Sequence, residues 1–244
     1  KNIQTAELTK LIDNSQRDVF FAYANEIAEI CNEFNISANE VLRSAAINYP
    51  RTKLLLPGPV GGPCLTKDSH LLLSNLKNKK NDFSIIRSAR NINENIYKSF
   101  FQYIKQSYNK KIKQENVSIC FLGIAFKGNP ITDDIRGSII HDFIKELKKY
   151  KVDNLKAFDN NVNKSDFDLL GLKKSNSLKK AFFKTDFVII LNNNNDFRKL
   201  NLIELAKLMN YGGLIYDYWG NFDSKCLILD NKVNYINYGS HKLD

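Results

Sequence analysis

The chain has 244 residues, enough for one large domain or two small ones with a substantial buried core. Its hydrophobic share of 43% is ordinary for a globular protein, and no apolar run approaches the roughly 18 residues that would span a bilayer. The opening stretch also lacks the pattern of a secretory signal. We therefore expect a cytoplasmic protein with no membrane partner.

The net charge of +10 raises the question of a polyanionic partner. A nucleic-acid interface needs basic residues clustered with aromatic ones, whereas the lysines here are spread along the whole chain. We expect no nucleic-acid partner, although a phosphate-bearing small molecule would need only a few of these cations. The four cysteines and three histidines are also scattered, without a C-x-x-C pair, so neither a metal site nor a disulfide framework is expected.

The first part of the sequence has helical periodicity. Apolar residues recur at helical spacing from Thr5 to about Asn35 without Gly or Pro, which predicts one long helix. A second helix is predicted from Ser37, whose hydroxyl can cap it with Glu40 three residues on, and Pro50 ends it.

An irregular loop and a further helix are predicted next. Four of the five prolines and three glycines fall within residues 50–63, a density typical of a structured loop. Helical spacing returns from about Ile85 to Tyr108, and the polar segment Asn109 to Asn116 is predicted to be the domain boundary. This gives a helical domain over residues 1–112 and a second domain over residues 113–244.

The second domain alternates short apolar runs with amphipathic segments, which predicts a parallel, doubly wound sheet and an α/β fold. Such sheets bind ligands at the carboxyl ends of their strands. The segment after the first strand, Gly123-Ile-Ala-Phe-Lys127-Gly128, lies at such an end but lacks the G-x-G-x-x-G spacing of a dinucleotide site, and no other stretch supplies it. Strands are expected at 117–122, 155–158, 187–191 and 214–216, and helices at 138–150 and 202–209.

The segment Gly61-Gly62-Pro63-Cys64-Leu65-Thr66-Lys67-Asp68 is the most informative one for chemistry. Two glycines allow the backbone to approach a ligand closely, and a nearby Lys and Asp could assist a thiolate nucleophile. These features alone leave an inert loop cysteine open as the alternative.

Three segments together resemble the UDP-glucose/GDP-mannose dehydrogenase family. The cysteine segment is similar to its GG-x-C-x-x-x-D loop. Residues Thr5 to Asn14 resemble its T-A-E-x-x-K-x-x-x-N helix, and Gly123 to Lys127 followed by Asp134 to Ser138 resembles its G-x-x-F-K…D-x-R-x-S segment. The order and the separations of the three also agree with the family.

This resemblance implies a helical central domain that forms a homodimer, followed by a Rossmann-like domain that binds the nucleotide sugar. It also implies NAD as cofactor and oxidation of the C6 hydroxymethyl of a UDP-sugar to a carboxylate. Cys64 would add to the C6 aldehyde as a thiohemiacetal, and a thioester would follow. Family members begin with an NAD-binding domain, and this chain is expected to start after it.

The resemblance also assigns roles to individual residues. Lys10 and Asn14, one turn apart on a helix, would bind the C6 oxygen or a water. Asp68 would orient water or receive a proton, with capping of the following helix as its structural alternative. Without the resemblance, Lys10 and Asn14 are ordinary surface residues of a helix.

Further residues would contact the substrate or the cofactor. Lys127 is expected to meet the nucleotide sugar, together with the backbone of Gly61 and Gly62. Arg136 is expected to reach the cofactor's pyrophosphate, because its fork of donors matches phosphate oxygens. Arg51 is a candidate contact to the sugar of a neighbouring subunit. A surface lysine at Lys127 and a salt bridge of Arg136 at a helix start are the structural alternatives.

The sugar and the state of the enzyme stay open at this stage. Pro63 before the cysteine and Tyr49-Pro-Arg51 favour a UDP-N-acetylhexosamine of the mannosamine type over UDP-glucose. A catalytically inactive UDP-sugar-binding fragment is the competing interpretation. The asparagine run Asn192 to Asn195 and Tyr218-Trp219 depart from the family pattern, which leaves the contacts to the base open.

Overall fold

The computed structural model of the chain describes residues 2–49, 51, 54–74, 76, 83–223, 227 and 229–240. The helices over these residues are α1 (Ile3–Phe34), α2 (Ala38–Ala46), α3 (Leu65–Ser74), α4 (Ser84–Asn95), α5 (Lys98–Ser107), α6 (Asn109–Ile112), α7 (Ile140–Lys149), α8 (Lys164–Leu170), α9 (Leu178–Phe182), α10 (Leu202–Ala206) and a 3-10 helix at Asn195–Lys199. The strands are β1 (Ser118–Leu122), β2 (Asn154–Phe158), β3 (Lys173–Lys174), β4 (Phe187–Ile190), β5 (Leu214–Asp217) and β6 (Asn234–Asn237). None of these helices is long and apolar enough to cross a membrane.

The long first helix is confirmed. It begins after Asn2, whose side-chain oxygen accepts a hydrogen bond from the Thr5 amide at 2.8 Å, and it ends at Asn35 in the left-handed conformation. One face of α1 packs on α3 and α4. The predicted cap of α2 is confirmed as well, because the Ser37 hydroxyl accepts a hydrogen bond from the Glu40 amide at 3.3 Å.

The predicted doubly wound parallel sheet is confirmed. Its six strands pair in the order β3-β2-β1-β4-β5-β6, and every pairing is parallel. Because side chains alternate along a strand, Ile119 and Phe121 of β1 pack with α5 and α7, whereas Cys120 and Leu122 pack with α9 and α10 on the other face. Both faces are covered, so the central strands β1 and β4 are apolar apart from Ser118.

The helical stretch predicted from Ile85 to Tyr108 is interrupted, and this part of the prediction is wrong. Residues Ile96 and Tyr97 separate α4 from α5. At the break, the buried Tyr218 hydroxyl lies 3.4 Å from the Ile96 oxygen and 3.3 Å from the Tyr97 oxygen. Beyond the break Phe100 enters the core on the sheet. The interruption is thus where the chain passes from the helical part to the sheet.

Candidate active site

Cys64 lies at the junction between the cysteine loop, residues 54–64, and helix α3. Its carbonyl oxygen accepts hydrogen bonds from the amides of Lys67 at 3.1 Å and Asp68 at 2.9 Å, so it occupies the N-terminal end of that helix. Cys64 is exposed, in contrast to the buried Cys31 and Cys120. Cys64 thus immediately precedes the first turn of α3, at the end of the helix where the backbone dipole is positive.

The glycines before Cys64 allow the loop to lie directly on the segment after β1. The Gly62 amide donates to the Gly137 oxygen at 3.3 Å, and Gly62 has a φ of +95°. A Cβ on Gly62 would lie 2.6 Å from the Phe126 ring, and one on Gly61 would lie 2.3 Å from the Gly137 oxygen. Packing between the two segments therefore requires both glycines. Their contact with substrate stays a prediction.

Helix α1 is joined to α3 beside the cysteine. The side-chain amide of Asn14 donates to the Asp68 carboxylate, with 2.7 Å between Nδ2 and Oδ2. Asp68 is only 4% exposed and lies inside the first turn of α3, so it does not cap that helix from outside. Lys10 precedes Asn14 by one turn on the same helix and is exposed. The carboxylate thus fixes the orientation of the Asn14 amide.

The turn after β1 is held by residues from the ends of two other strands. The amides of Ile124 and Ala125 donate to the Asp159 carboxylate at 2.9 and 3.2 Å. The side-chain oxygen of Asn193, in the asparagine run after β4, accepts from the amides of Gly128 at 2.8 Å and Asn129 at 3.0 Å. These bonds fix the turn that carries Lys127 at the carboxyl edge of the sheet.

A cleft of about 570 Å³ lies between α1, the cysteine loop and this turn. It is lined by six of the residues singled out from the sequence, namely Lys10, Asn14, Gly61, Gly62, Cys64 and Lys127. Residues that are 117 positions apart, Lys10 and Lys127, therefore border one space. A volume of this size is typical of small-molecule sites.

Asp68, Arg136 and Arg51 do not line the cleft. Asp68 is buried and is bonded to the side chain of Asn14, which itself lines the cleft. Arg136 is exposed and makes a two-pronged ion pair with Asp134, with 2.8 Å between Nη2 and Oδ2. The hydrogen bonds from Arg136 lower the pKa of Asp134. The hydrogen bonds and charge of Asp134 raise the pKa of Arg136. Arg51 is exposed.

The lining residues to which the sequence interpretation gave no role include Arg17, Phe21, Asn193 and Trp219. Arg17 follows Lys10 by seven residues and Asn14 by three, a spacing that places all three on one face of α1. That spacing was the available signal. Trp219 follows β5 and donates its indole N–H to the Leu191 oxygen at 2.9 Å, which fixes the ring beneath Gly58.

The described residues do not form a dinucleotide site on the sheet. Such a site needs free backbone amides at the first turn and a helix that begins there. Here the turn amides are bonded to Asp159 and Asn193, and the next helix, α7, begins only at Ile140. Among the described residues, no group of three or more His, Cys, Asp or Glu side chains could hold a metal ion.

These features define an α/β protein in which a cysteine-bearing helical part covers the carboxyl edge of a Rossmann-like sheet. The chain belongs to the UDP-glucose/GDP-mannose dehydrogenase family. The family's central domain matches residues 4–95, and its UDP binding domain matches residues 120–224. The match confirms the family inferred from the three sequence segments.

Two relatives and one solved structure illustrate the similarity. The UDP-N-acetyl-D-mannosamine dehydrogenase of Pyrococcus horikoshii is 32% identical over 237 residues, which cover 96% of this chain and 51% of that protein. The NDP-N-acetyl-D-galactosaminuronic acid dehydrogenase of Ralstonia solanacearum is 30% identical, covering 81% of this chain and 45% of that protein. A solved structure of UDP-D-ManNAc dehydrogenase from Pyrococcus horikoshii has a TM-score of 0.80 at 30% identity and covers 100% of this chain and 54% of that one. The chain thus spans about half the length of the curated relatives it matches.

Proposed function

We propose that this chain supplies the nucleotide-sugar site and the catalytic thiol of an NAD-dependent nucleotide-sugar 6-dehydrogenase. The reaction would convert the C6 hydroxymethyl of a UDP-sugar to a carboxylate. One observation carries the proposal: Lys10, Asn14, Cys64 and Lys127 line a single cleft at the carboxyl edge of the sheet. The competing interpretation, a catalytically inactive fragment that only binds the UDP-sugar, does not account for a thiol beside the amide and the two ammonium groups.

The charge of the cleft suits a diphosphate. Lys10, Arg17 and Lys127 line it together with the carboxylate of Asp134, which pairs with Arg136. Over the described part of the chain no carboxylate pairs with any of the three cations. The Lys127 ammonium lies 5.2 Å from the centre of the Phe126 ring, which helps to fix it over the cleft. Unpaired cations in a partly enclosed space attract an anionic ligand strongly. A UDP-sugar carries its negative charge on the diphosphate.

Cys64 would form the covalent bond to the substrate. A bound NAD would accept a hydride from C6 in each of the two oxidations, and the described residues hold no site for its pyrophosphate beyond the predicted contact of Arg136. The Cys64 sulfur would attack the C6 aldehyde carbon, with Lys10 and Asn14 donating hydrogen bonds to the oxygen as it becomes negative. After oxidation to the thioester, water would release the carboxylate and return the thiol. Asp68 would keep the Asn14 amide in the donating orientation.

The substrate is proposed to be a UDP-N-acetylhexosamine of the mannosamine type. The similarity to the Pyrococcus horikoshii protein supports this choice, as do Pro63 and the Tyr49-Pro-Arg51 segment. Titration calorimetry with UDP, UDP-N-acetylmannosamine and UDP-glucose would rank the ligands. Tighter binding of UDP-glucose would contradict the proposed sugar without contradicting the site.

The mechanism is tested by Cys64→Ser in a protein that also contains the family's NAD-binding domain. We expect acid formation to stop while the nucleotide sugar still binds, because a serine hydroxyl is a far weaker nucleophile than a thiolate at neutral pH. The readouts are NADH absorbance and calorimetry. The 244-residue chain alone is expected to bind the sugar nucleotide weakly and to produce no NADH, since orientation of the cofactor contributes roughly 7–11 kcal/mol to a rate. Unchanged turnover in the serine variant would remove Cys64 from the mechanism.

We also propose that the chain forms a homodimer through α1. Large apolar side chains remain exposed along this helix, among them Phe20 at 45%, Tyr23 at 51%, Ile30 at 46% and Phe34 at 71%. Their separations of three, four and seven residues place them on one stripe of the helix. A stripe of this kind on a 32-residue helix is suited to a second copy of the same helix.

A further inference from the structure

A cluster of buried polar side chains lies behind the cysteine loop. The Asp18 cluster consists of Asp18 and Asn25 on α1, Ser69 on α3, and Arg90 and Asn93 on α4. Each of the five residues is at most 3% exposed. None of them lines the cleft, so they do not belong to the substrate site described above.

The cluster is one connected network centred on Asp18. Arg90 Nη1 and Asn93 Nδ2 each lie 2.7 Å from Asp18 Oδ1, and the Ser69 hydroxyl lies 3.1 Å from Oδ2. The Asn93 amide also donates to the Asp18 backbone oxygen at 2.8 Å. Asn25 joins the network by donating to Asn93 Oδ1 at 2.9 Å.

The network holds the cysteine loop on both sides of Cys64. After Cys64 in the sequence, the backbone oxygen of Leu65 accepts a hydrogen bond from Arg90 Nη1 at 2.8 Å. Before Cys64, Asn25 bonds both backbone groups of Gly58: its Oδ1 accepts from the amide at 2.8 Å, and its Nδ2 donates to the oxygen at 3.2 Å. The residues between these two anchors therefore have little freedom to move relative to α1.

Stability alone does not account for such a cluster. Burial raises the pKa of Asp18, while Arg90 and the hydrogen bonds from Asn93 and Ser69 oppose the rise. Well-packed apolar residues are often at least as stabilising as a buried ion pair of this kind. Hydrogen bonds, unlike apolar contacts, specify direction and distance at each anchor point.

We propose that the Asp18 cluster is a positioning device that sets Cys64 against Lys10 and Asn14. Asp18 and Asn25 are on the same helix as Lys10 and Asn14, so a rigid α1 connects the anchors of the loop to the polar groups of the cleft. The cluster acts through the loop and touches no substrate. This inference rests on the proposed function, since it takes Cys64 as the reacting group, but its test measures thiol reactivity and not dehydrogenase activity.

The test is a double-mutant cycle in the 244-residue chain. The rate of Cys64 alkylation by iodoacetamide is followed by mass spectrometry of its peptide, with and without Lys10→Ala, in the unmodified chain and in the Asn93→Ala variant. In the unmodified chain, loss of the Lys10 ammonium is expected to slow alkylation about fivefold, because Lys10 and Cys64 line the same cleft and a nearby positive charge favours the reacting thiolate. In the Asn93→Ala chain, which loses the hydrogen bonds of Asn93 to Asp18 and Asn25, Lys10→Ala is expected to change the rate by less than about twofold.

The control is Asn95→Ala. Asn95 is on the same helix, is half-buried outside the Asp18 cluster, and its side-chain amide donates to Asn91. We expect the full effect of Lys10→Ala to persist in this control. All rates are taken below the onset of thermal unfolding of each variant, and Asn93→Ser, a smaller polar change, replaces Asn93→Ala if that variant does not fold.

Two results would overturn the proposal. The first is that Lys10→Ala slows alkylation equally in the unmodified and Asn93-substituted chains, which would give the cluster a purely structural role. The second is that Lys10→Ala has no effect in the unmodified chain, because Cys64 would then not be set against Lys10. Either result would leave the proposed dehydrogenase function open to its own test with Cys64→Ser.

Discussion

The hydrogen bond between Asn14 and Asp68 gives a sharp stability prediction. It joins α1 to α3 across 54 positions of sequence, has a length of 2.7 Å, and its carboxylate is only 4% exposed. Hydrogen bonds to a charged group contribute about 1.5–3 kcal/mol. We therefore expect Asp68→Ala to lower the free energy of unfolding by roughly 2–3 kcal/mol, because it also leaves a partly buried amide donor without its acceptor.

A graded series separates charge from hydrogen bonding. In Asp68→Asn the side-chain oxygen can still accept from Asn14, so about 1 kcal/mol should be lost, since a neutral hydrogen bond is roughly half as strong. For a chain of this size, 1 kcal/mol corresponds to about 2–4 °C in Tm. Thermal unfolding by circular dichroism should thus show a loss of about 4–12 °C for the alanine variant and about 2–4 °C for the asparagine variant.

The matched control is Asp13→Ala, next to Asn14 on α1 but exposed. Surface changes of this type usually fall within about 0.5 kcal/mol. If Asp68→Ala were no more destabilising than Asp13→Ala, the Asn14–Asp68 bond would not link the two helices, and the role of Asp68 in orienting Asn14 would have to be abandoned.

Three further outcomes follow from the described contacts. Arg17→Ala should weaken UDP-sugar binding by about tenfold or more in calorimetry, whereas Arg43→Ala, on the exposed side of α2, should not. Tyr23→Glu should convert the proposed dimer to a monomer in light scattering at micromolar concentration, and a monomeric unmodified chain would contradict the dimer itself. Phe100→Ala should cost about 3–5 kcal/mol in chemical unfolding, because Phe100 is fully buried among Phe143, Phe187 and Tyr216; a loss below about 1 kcal/mol would show that the core can close around the gap.

Sequence reasoning found the residues whose pattern is local. Helix α1 was predictable because its apolar positions follow one period over thirty residues, and β1 and β4 because buried parallel strands are continuous apolar runs. The short strand β3 and helices α8 and α9 were not predicted, since two to seven residues carry too little periodicity. Strand β6 was missed because its polar residues Asn234 and Asn237 do not suggest a strand.

The candidate site was predictable in its members but not in its connections. The spacing of Lys10 and Asn14 indicated one helix face, yet nothing local indicated that Asp68 would bind Asn14 from another helix. Arg17 was missed because an arginine on an amphipathic helix usually faces solvent. In the sequence, the asparagine run Asn192 to Asn195 is only a departure from the family pattern. The structure shows that Asn193 bonds the backbone of the turn that carries Lys127.

The position of Cys64 relative to Lys127 depends on backbone contacts that are too close for any side chain larger than that of glycine. Gly62 and Gly137 bring two backbones together beside the cysteine, and a Cβ on Gly58 would lie 2.9 Å from the Trp219 ring. Side chains at these positions would push the helical part away from the sheet and widen the cleft. In the proposed reaction, the Cys64 sulfur must reach C6 of the sugar while the diphosphate of the same substrate binds at Lys127 on the opposite wall of the cleft. Gly61 and Gly62, which the sequence interpretation assigned to contact with the substrate, are therefore required for the close packing of the helical part on the sheet.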